Sequence, residues 1–364
     1  MMRNRPSSAL ELCAYYAGAM RDDIMALIKQ ALRDGAIKMN KPSACCAAAR
    51  QSFVEAKGTQ DAQDEAAIIA PAAGEQIVDR QGMIHLPGGT FLMGTNDGEG
   101  YPADGEGPVR EIELRPFYMD ACAVSNAQFQ RFAEATGYVT EAERFGWSYV
   151  FHLFVSEEAA KQVVGTPRET PWWCAVEGAN WKQPRGADSS IDGLGNHPVV
   201  HISWNDVQAY CTWAGKRMPT EAEWEYAARG GLVQKRYAWG DLLKPDGQHR
   251  CNIWQGKFPS LDHASDGYSG TAPVDAYEPN GFGLYNACGN VWEWCSDWFS
   301  KEHHVHSGQR SNPAGPAKGS AKVLRGGSYL CHKSYCNRYR VAARSQNTPD
   351  SSSGNIGFRC AADV

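Results

Sequence analysis

Two stretches of this chain, residues 138–200 and 231–285, are long, rich in Gly, Pro, Asn and Trp, and show neither helical nor strand periodicity. Loops of that length inside a compact domain need function, bound ions or aromatic packing to hold them. All twelve tryptophans lie at or after Trp147, so aromatic packing is available where periodicity is missing. Tryptophan fills irregular space well but wants a partner for its indole N–H. The expected body is therefore α+β, low in regular structure, with an aromatic interior or an aromatic cleft for an extended peptide. GFGLYNACG is glycine-rich but lacks the spacing of a dinucleotide fingerprint, which argues against a Rossmann sheet.

The regular elements are short and punctuated. MIHLPGGTFLMGT, from Met83, reads as two strands around a Pro-Gly-Gly turn, and EIELRPFYMD as an alternating strand. Between them NDGEGYPADGEGPV reads as a solvated acidic loop, without EF-hand spacing. Ser125 with Gln128, and Thr220 with Glu223, form capping boxes, while Ser203 caps WNDVQAYCTWA; Gly137, Gly215 and Gly230 mark the ends of these helices. Upstream, residues 1–76 read as an extension, with an amphipathic helix over Ala9–Arg33 and a polar linker at 55–76, leaving 77–364 as one domain. Cys13, Cys45 and Cys46 in the extension read as incidental.

The net charge of -5 gives no electrostatic case for nucleic acid. No apolar run approaches the ~20 residues that span a bilayer. Glu11, Arg21, Asp22 and Asp23 interrupt the N-terminal apolar residues, so no signal peptide is read and the expected location is cytoplasmic, with most thiols reduced.

Chemistry concentrates in Arg325–Arg344, RGGSYLCHKSYCNRYRVAAR. This stretch holds Cys331 and Cys336 among Arg325, His332, Lys333, Arg338, Arg340 and Arg344, with no Asp or Glu. Fixed positive charge favours a thiolate, which is the nucleophilic and metal-binding form. Residues five apart lie ~140° apart on a helix and on opposite faces of a strand, so the two sulfurs meet only if the intervening residues bend. If they meet, a disulfide or a two-thiolate metal site results; zinc would need two more ligands, whereas soft sulfur in low coordination selects Cu(I). His197 and His201 are four apart, but Pro198 makes the segment extended, so a shared metal is disfavoured. His303, His304 and His306 sit in a polar loop and read as solvated. Asn252, Asp266, Asn286 and Glu293 stand in Gly/aromatic-rich stretches whose oxygens could converge on a hard cation such as Ca²⁺. Asn in turns usually caps backbone instead.

Three segments, HPVVHISWNDVQAYCTWAGKRMPTEAEWEYAARGG, NGFGLYNACGNVWEWCSDW and RGGSYLCHKSYCNRYRVAARSQNTPD with NIGFRCA, resemble the formylglycine-generating enzyme (sulfatase-modifying factor) family across roughly residues 80–364. The resemblance implies a C-type-lectin-like variant fold. It implies a copper-dependent oxidase that uses O₂ to convert the cysteine of a Cys-x-Pro-x-Arg motif in unfolded or nascent sulfatases to Cα-formylglycine. On that resemblance Cys331 and Cys336 would hold Cu(I), and Ser328, Trp292, Tyr335, Arg344 and Asn355 would line the pocket. One structural Ca²⁺ would lie on Asn252, Ile253 (carbonyl), Asp266 and Tyr268 (carbonyl). A second would lie on Asn286, Gly289 (carbonyl), Val291 (carbonyl) and Glu293. A Cys211–Cys360 disulfide is carried over, its redox state open, and a monomer is expected. The family's carboxylates for the client arginine, just before Val-Ser-Asn and just after Phe-Gly, are replaced by Ala123 and Trp147. Trp147 could stack on that guanidinium instead. The alternative on this fold is a non-catalytic lectin-like peptide- or protein-binding paralogue, against which the retained cysteine pair argues.

Overall fold

The computed structural model describes residues 48–50, 80–306 and 308–364. The helix expected over Ala9–Arg33 and the linker at 55–76 lie outside the described residues. Small sheets joined by long ordered loops make up the body. The first strand pair does not close on itself: β1 (Met83–Leu86) and β2 (Gly89–Met93) pair with different partners. What reads as one alternating strand is two, β3 (Arg110–Leu114) and β4 (Phe117–Asp120), divided at Pro116. Proline has no N–H for the ladder, so the break falls there and lets the halves diverge. β3 pairs with β2, whereas β4 pairs with β1 and, on its other side, with β14, so the first and last described strands share one sheet.

The stretch 138–200 is less irregular than its composition suggests. WSYVF forms β5 (Trp147–Phe151), and β6 (Val163–Gly165) and β7 (Trp173–Glu177) complete a sheet of order β5-β7-β6. Their aromatic and β-branched runs carried the strand signal. In 231–285 the strands are a two-residue pair, β8 (Gly256–Lys257) with β9 (Leu261–Asp262), beside a short 3₁₀ turn at Pro245–Gly247. The central sheet has order β12-β11-β10-β13, from β10 (Trp292–Trp298), β11 (Lys322–Arg325), β12 (Arg344–Asn347) and β13 (Ile356–Gly357); β14 is Ala361–Asp363.

The helices begin and end as their caps dictate. Capping boxes open α1 (Asn126–Thr136) at Ser125, α2 (Glu141–Phe145) at Thr140, α3 (Trp204–Trp213) at Ser203 and α4 (Glu221–Arg229) at Thr220. Gly137 and Gly230 take the left-handed conformation that closes α1 and α4. The largest core cluster joins α1, α3 and the central sheet through Phe129, Tyr210, Trp292, Trp294 and Phe358, and both Cys331 and Cys336 belong to it. A second, aromatic cluster of Phe151, Trp172, Trp173, Trp254 and Phe258 adjoins it. No described helix is long and apolar enough to cross a membrane.

Candidate active site

Beyond β11 the chain turns through Gly326 and Gly327, both at positive φ. A side chain at Gly327 would stand 2.8 Å from the Arg338 carbonyl, so the approach of the two arms of this loop requires glycine. The bend needed to join the cysteines is a turn at His332, whose carbonyl accepts from the N–H groups of Tyr335 and Cys336 at 2.9 and 2.7 Å. It brings Cys331 Sγ and Cys336 Sγ to 3.3 Å, both completely buried. The Ser328 N–H points at Cys331 Sγ at 3.4 Å, and Arg338 Nη1 reaches Cys336 Sγ at 3.9 Å. Asn355, on the turn before β13, donates from Nδ2 to Ser328 Oγ at 3.0 Å and accepts from Ser353 Oγ at 2.8 Å. Ser328, Asn355 and the cysteine pair therefore form one connected unit. The Trp292 N–H donates to the Asn355 carbonyl at 2.9 Å, tying β10 to it.

The arginines of this stretch are not bare cations. Each is buried and paired with a carboxylate from elsewhere. Arg338 binds Asp104 (2.5 and 3.0 Å) and Arg340 binds Glu106 (2.7 Å twice). The acidic loop of 95–108, expected to be solvated, thus delivers two buried anions to the thiol loop. Burial pushes Asp104 up to about 6 even against Arg338. Arg325 and Arg344 lie directly opposite each other on β11 and β12, an arrangement that repels. Glu221, in the first turn of α4, offsets this by binding Arg325 at 2.9 Å and Arg344 at 2.8 Å. Burial pushes Glu221 up, yet Arg344 and Arg325 outweigh it and hold the carboxyl below its usual value. Arg344 also binds the carbonyls of Asp104, Gly105 and Ser300. It therefore ties these segments together while buried beneath the cysteine loop.

The two proposed calcium sets each hold an amide whose orientation is fixed by its neighbours. Asn252 Nδ2 donates to the Gly270 carbonyl (2.7 Å) and to Asn290 Oδ1 (3.2 Å); Asn286 Nδ2 donates to the carbonyls of Pro273 and Val274 (3.0 and 2.9 Å). Since those partners only accept, neither amide can flip. Asn252 Oδ1 and Asn286 Oδ1 are left buried with no hydrogen-bond donor among the described residues. An orphan buried acceptor is costly, and a hard cation satisfies it. Asp266, in the first set, accepts from the Ile253 and Tyr268 N–H groups at 3.0 and 3.4 Å, and burial raises its carboxyl. The Ile253 carbonyl in turn accepts from Gln255 Nε2 at 2.9 Å. The second set is more committed: Glu293 accepts from Arg359 twice and from Trp224 Nε1 at 2.7 Å. Gly289 packs where a side chain would stand 2.4 Å from the Asn252 carbonyl, which locks the two sets together. Val291 is buried beside them.

Elsewhere the placements differ in kind. Tyr335 stacks on Phe258 (4.6 Å between rings) and meets Trp172 edge-on (5.0 Å), so it belongs to an aromatic wall. Trp147 is half-buried at the start of β5, and Ala123 is buried. Cys211 and Cys360 place their sulfurs 3.7 Å apart as free thiols. His197 and His201 do not share a metal geometry: His201 sits at positive φ, with its ring nitrogens on Ser148 Oγ and the Pro184 carbonyl, and burial pulls it down to about 4. Asp104, Glu106 and Glu221 were missed from sequence. Their only local signal was an acid surplus matching the acid-free stretch far downstream.

Residues 70–364 match the family described as "Sulfatase-modifying factor enzyme 1-like domain". A protein of Streptomyces coelicolor named "Formylglycine-generating enzyme" is 61% identical over 303 residues, 83% of this chain and 96% of that protein. A mouse protein named "Inactive C-alpha-formylglycine-generating enzyme 2" is 48% identical over 285 residues, 78% of this chain and 86% of that protein. Among solved structures, PvdO from Pseudomonas aeruginosa superposes with a TM-score of 0.55 at 26% identity, covering 78% of this chain and 94% of that one.

Proposed function

The chain belongs to the sulfatase-modifying factor (formylglycine-generating enzyme) family, and on that premise we propose that it converts the cysteine of a Cys-x-Pro-x-Arg segment in unfolded sulfatases to Cα-formylglycine, using O₂. The observation that carries this reading over the non-catalytic one is the Cys331–Cys336 pair, 3.3 Å apart with the Ser328 N–H and the Arg338 guanidinium aimed at its sulfurs. A binding protein has no need to bury two facing thiols on a glycine-dependent loop. Two soft sulfurs in low coordination suit Cu(I), which when bound would supply the redox chemistry for reducing O₂. Cys331 and Cys336 would hold it. The Ser328 N–H then offsets negative charge on Cys331 Sγ, and Asn355 fixes Ser328. Tyr335, Trp172 and Phe258 form the apolar wall against which an extended client would lie. The wall also keeps water from the sulfurs. Overall, the client thiol, O₂ and two reducing thiols give the aldehyde, H₂S, water and a disulfide.

Two Ca²⁺ ions would serve as structural cofactors, their fit supported by the orphan oxygens of Asn252 and Asn286. The first would also steady the thiol loop, because the Trp254 N–H, two residues after Asn252, donates to the Cys331 carbonyl at 3.1 Å.

The test uses purified full-length protein, with and without copper, in air and a thiol reductant, with a peptide carrying Cys-Thr-Pro-Ser-Arg. Mass spectrometry should show copper-dependent conversion of thiol to aldehyde that Cys331→Ser and Cys336→Ser each abolish. No conversion by copper-loaded, reduced protein would turn the reading toward a peptide-binding paralogue.

A further inference from the structure

Residues 48–50 come from the extension, far from the domain in sequence, yet they are docked on it. Ala48 packs in the aromatic cluster with Trp172, Tyr329, Leu330 and Tyr335, which flank the two cysteines in sequence or form the wall beside them. Its carbonyl accepts from Asn347 Nδ2 at 3.2 Å, and that of Ala49 from Tyr149 Oη at 3.4 Å. Two residues on, the Arg50 guanidinium lies between the rings of Phe145 and Trp147, 4.0 and 4.1 Å from their centroids. It donates to the carbonyls of Asp350 (3.1 Å) and Trp147 (3.3 Å) and to Ser352 Oγ (3.4 Å). The Arg50 N–H donates to Ser351 Oγ at 2.8 Å.

This arginine is held unlike the structural ones. Arg325, Arg338, Arg340, Arg344 and Arg359 are each fastened by a carboxylate, whereas Arg50 has none in contact among the described residues and leaves Nη1 buried without a hydrogen-bond partner there. Burial pulls its pKa down to about 10. Nothing in that cradle is particular to Arg50: two ring faces, two carbonyls and a hydroxyl would accept any guanidinium. The spacing supplies the second observation. Arg50 closes the run Cys46-Ala47-Ala48-Ala49-Arg50, with cysteine first and arginine fifth as in Cys-x-Pro-x-Arg, and Ala48 where the client has proline. Cys46 itself lies outside the described residues.

We propose that Phe145, Trp147, Asp350 and Ser352 form the subsite for the client arginine, and that Ala48–Arg50 occupies it as an internal mimic which a client must displace. The inference rests on the proposed reaction and explains how a guanidinium is held where Ala123 and Trp147 supply no carboxylate. Stacking and carbonyl bonds replace the ion pair. They also make the occupant exchangeable, because releasing it strands no buried carboxylate.

The experiment is done on the full chain. A fluorescent peptide carrying Ser-Thr-Pro-Ser-Arg, which cannot react, reports binding by anisotropy independently of turnover. Arg50→Ala should tighten its Kd about tenfold and lower the KM of the Cys-Thr-Pro-Ser-Arg peptide by a similar factor. On unaltered protein, trypsin cleavage after Arg50 should be slow and should accelerate when the serine peptide is added. Unchanged or weakened peptide binding by Arg50→Ala, or cleavage indifferent to peptide, would overturn the inference while leaving turnover intact. Loss of turnover with binding preserved would instead strike the proposed reaction.

Discussion

Cys331 and Cys336 stand 3.3 Å apart, and Cys211 and Cys360 stand 3.7 Å apart; all four are buried. Distance and exposure do not tell the two pairs apart. Their surroundings do. Cys360 joins α3 to the C-terminal strand among Phe129, Tyr210 and Phe358, and burial together with Cys211 pushes its thiol well above the ordinary range. Such a thiol stays protonated and inert. Around the first pair a serine N–H, an asparagine and a guanidinium are aimed at sulfur or at its supports. Directed donors, rather than sulfur proximity, separate the pair proposed as reactive from the packed one.

The largest test of that contrast is the thiols themselves. Cys331→Ser or Cys336→Ser should lower peptide conversion by more than about a hundredfold, since even outer partners of metal ligands are worth roughly 10–100-fold. Cys211→Ser should keep conversion within about twofold, read by the same mass assay. Equal losses from both pairs would erase the distinction.

The second test is acid. His201 lies beneath the turn that carries Asn355, its N–H bonded to the Ser353 carbonyl at 3.0 Å. Its folded pKa of about 4 lies below the ordinary 6.5, so the folded state binds fewer protons. Stability from this group is complete above the higher value and is lost as pH falls toward the lower one. The loss is roughly 3 kcal/mol at most. Urea midpoints between pH 7 and 4.5 should fall more steeply for the native protein than for His201→Asn. Conversion should fail with them while the Cys211 region keeps its packing.

Next in size, Asn355→Ala should cost about tenfold in conversion by freeing Ser328, with little change in peptide binding. Smallest, calcium chelation should lower Tm by several degrees, as expected for losing ligands worth ~2–3 kcal/mol. It should change the alkylation rate of Cys331, whose carbonyl is held beside Asn252, and leave that of Cys211 unaltered.

The helices were legible because caps are local: Ser125, Thr220 and their partners three residues on need no tertiary information. The bend between Cys331 and Cys336 was legible as a necessity, since no regular structure joins residues five apart. Three things were not legible. β5 and β7 hid inside a tryptophan-rich stretch that composition marked as loop. Asp104 and Glu106 read as solvent-facing because their counterions lie 234 residues away. The hold of Glu221 on Arg344 was hidden as well, because the two lie 123 residues apart. Propensity is local, whereas burial of a charge depends on what arrives from a distance.

That distance has a consequence during synthesis. The acidic loop leaves the ribosome 234 residues ahead of the arginines that neutralise it. At roughly 5–20 residues per second the wait is about 10–50 s. Throughout it the two carboxylates stay hydrated and the cysteine turn does not yet exist. The cysteine loop is therefore among the last parts to be completed, and a chain halted early carries neither the thiol pair nor its arginines.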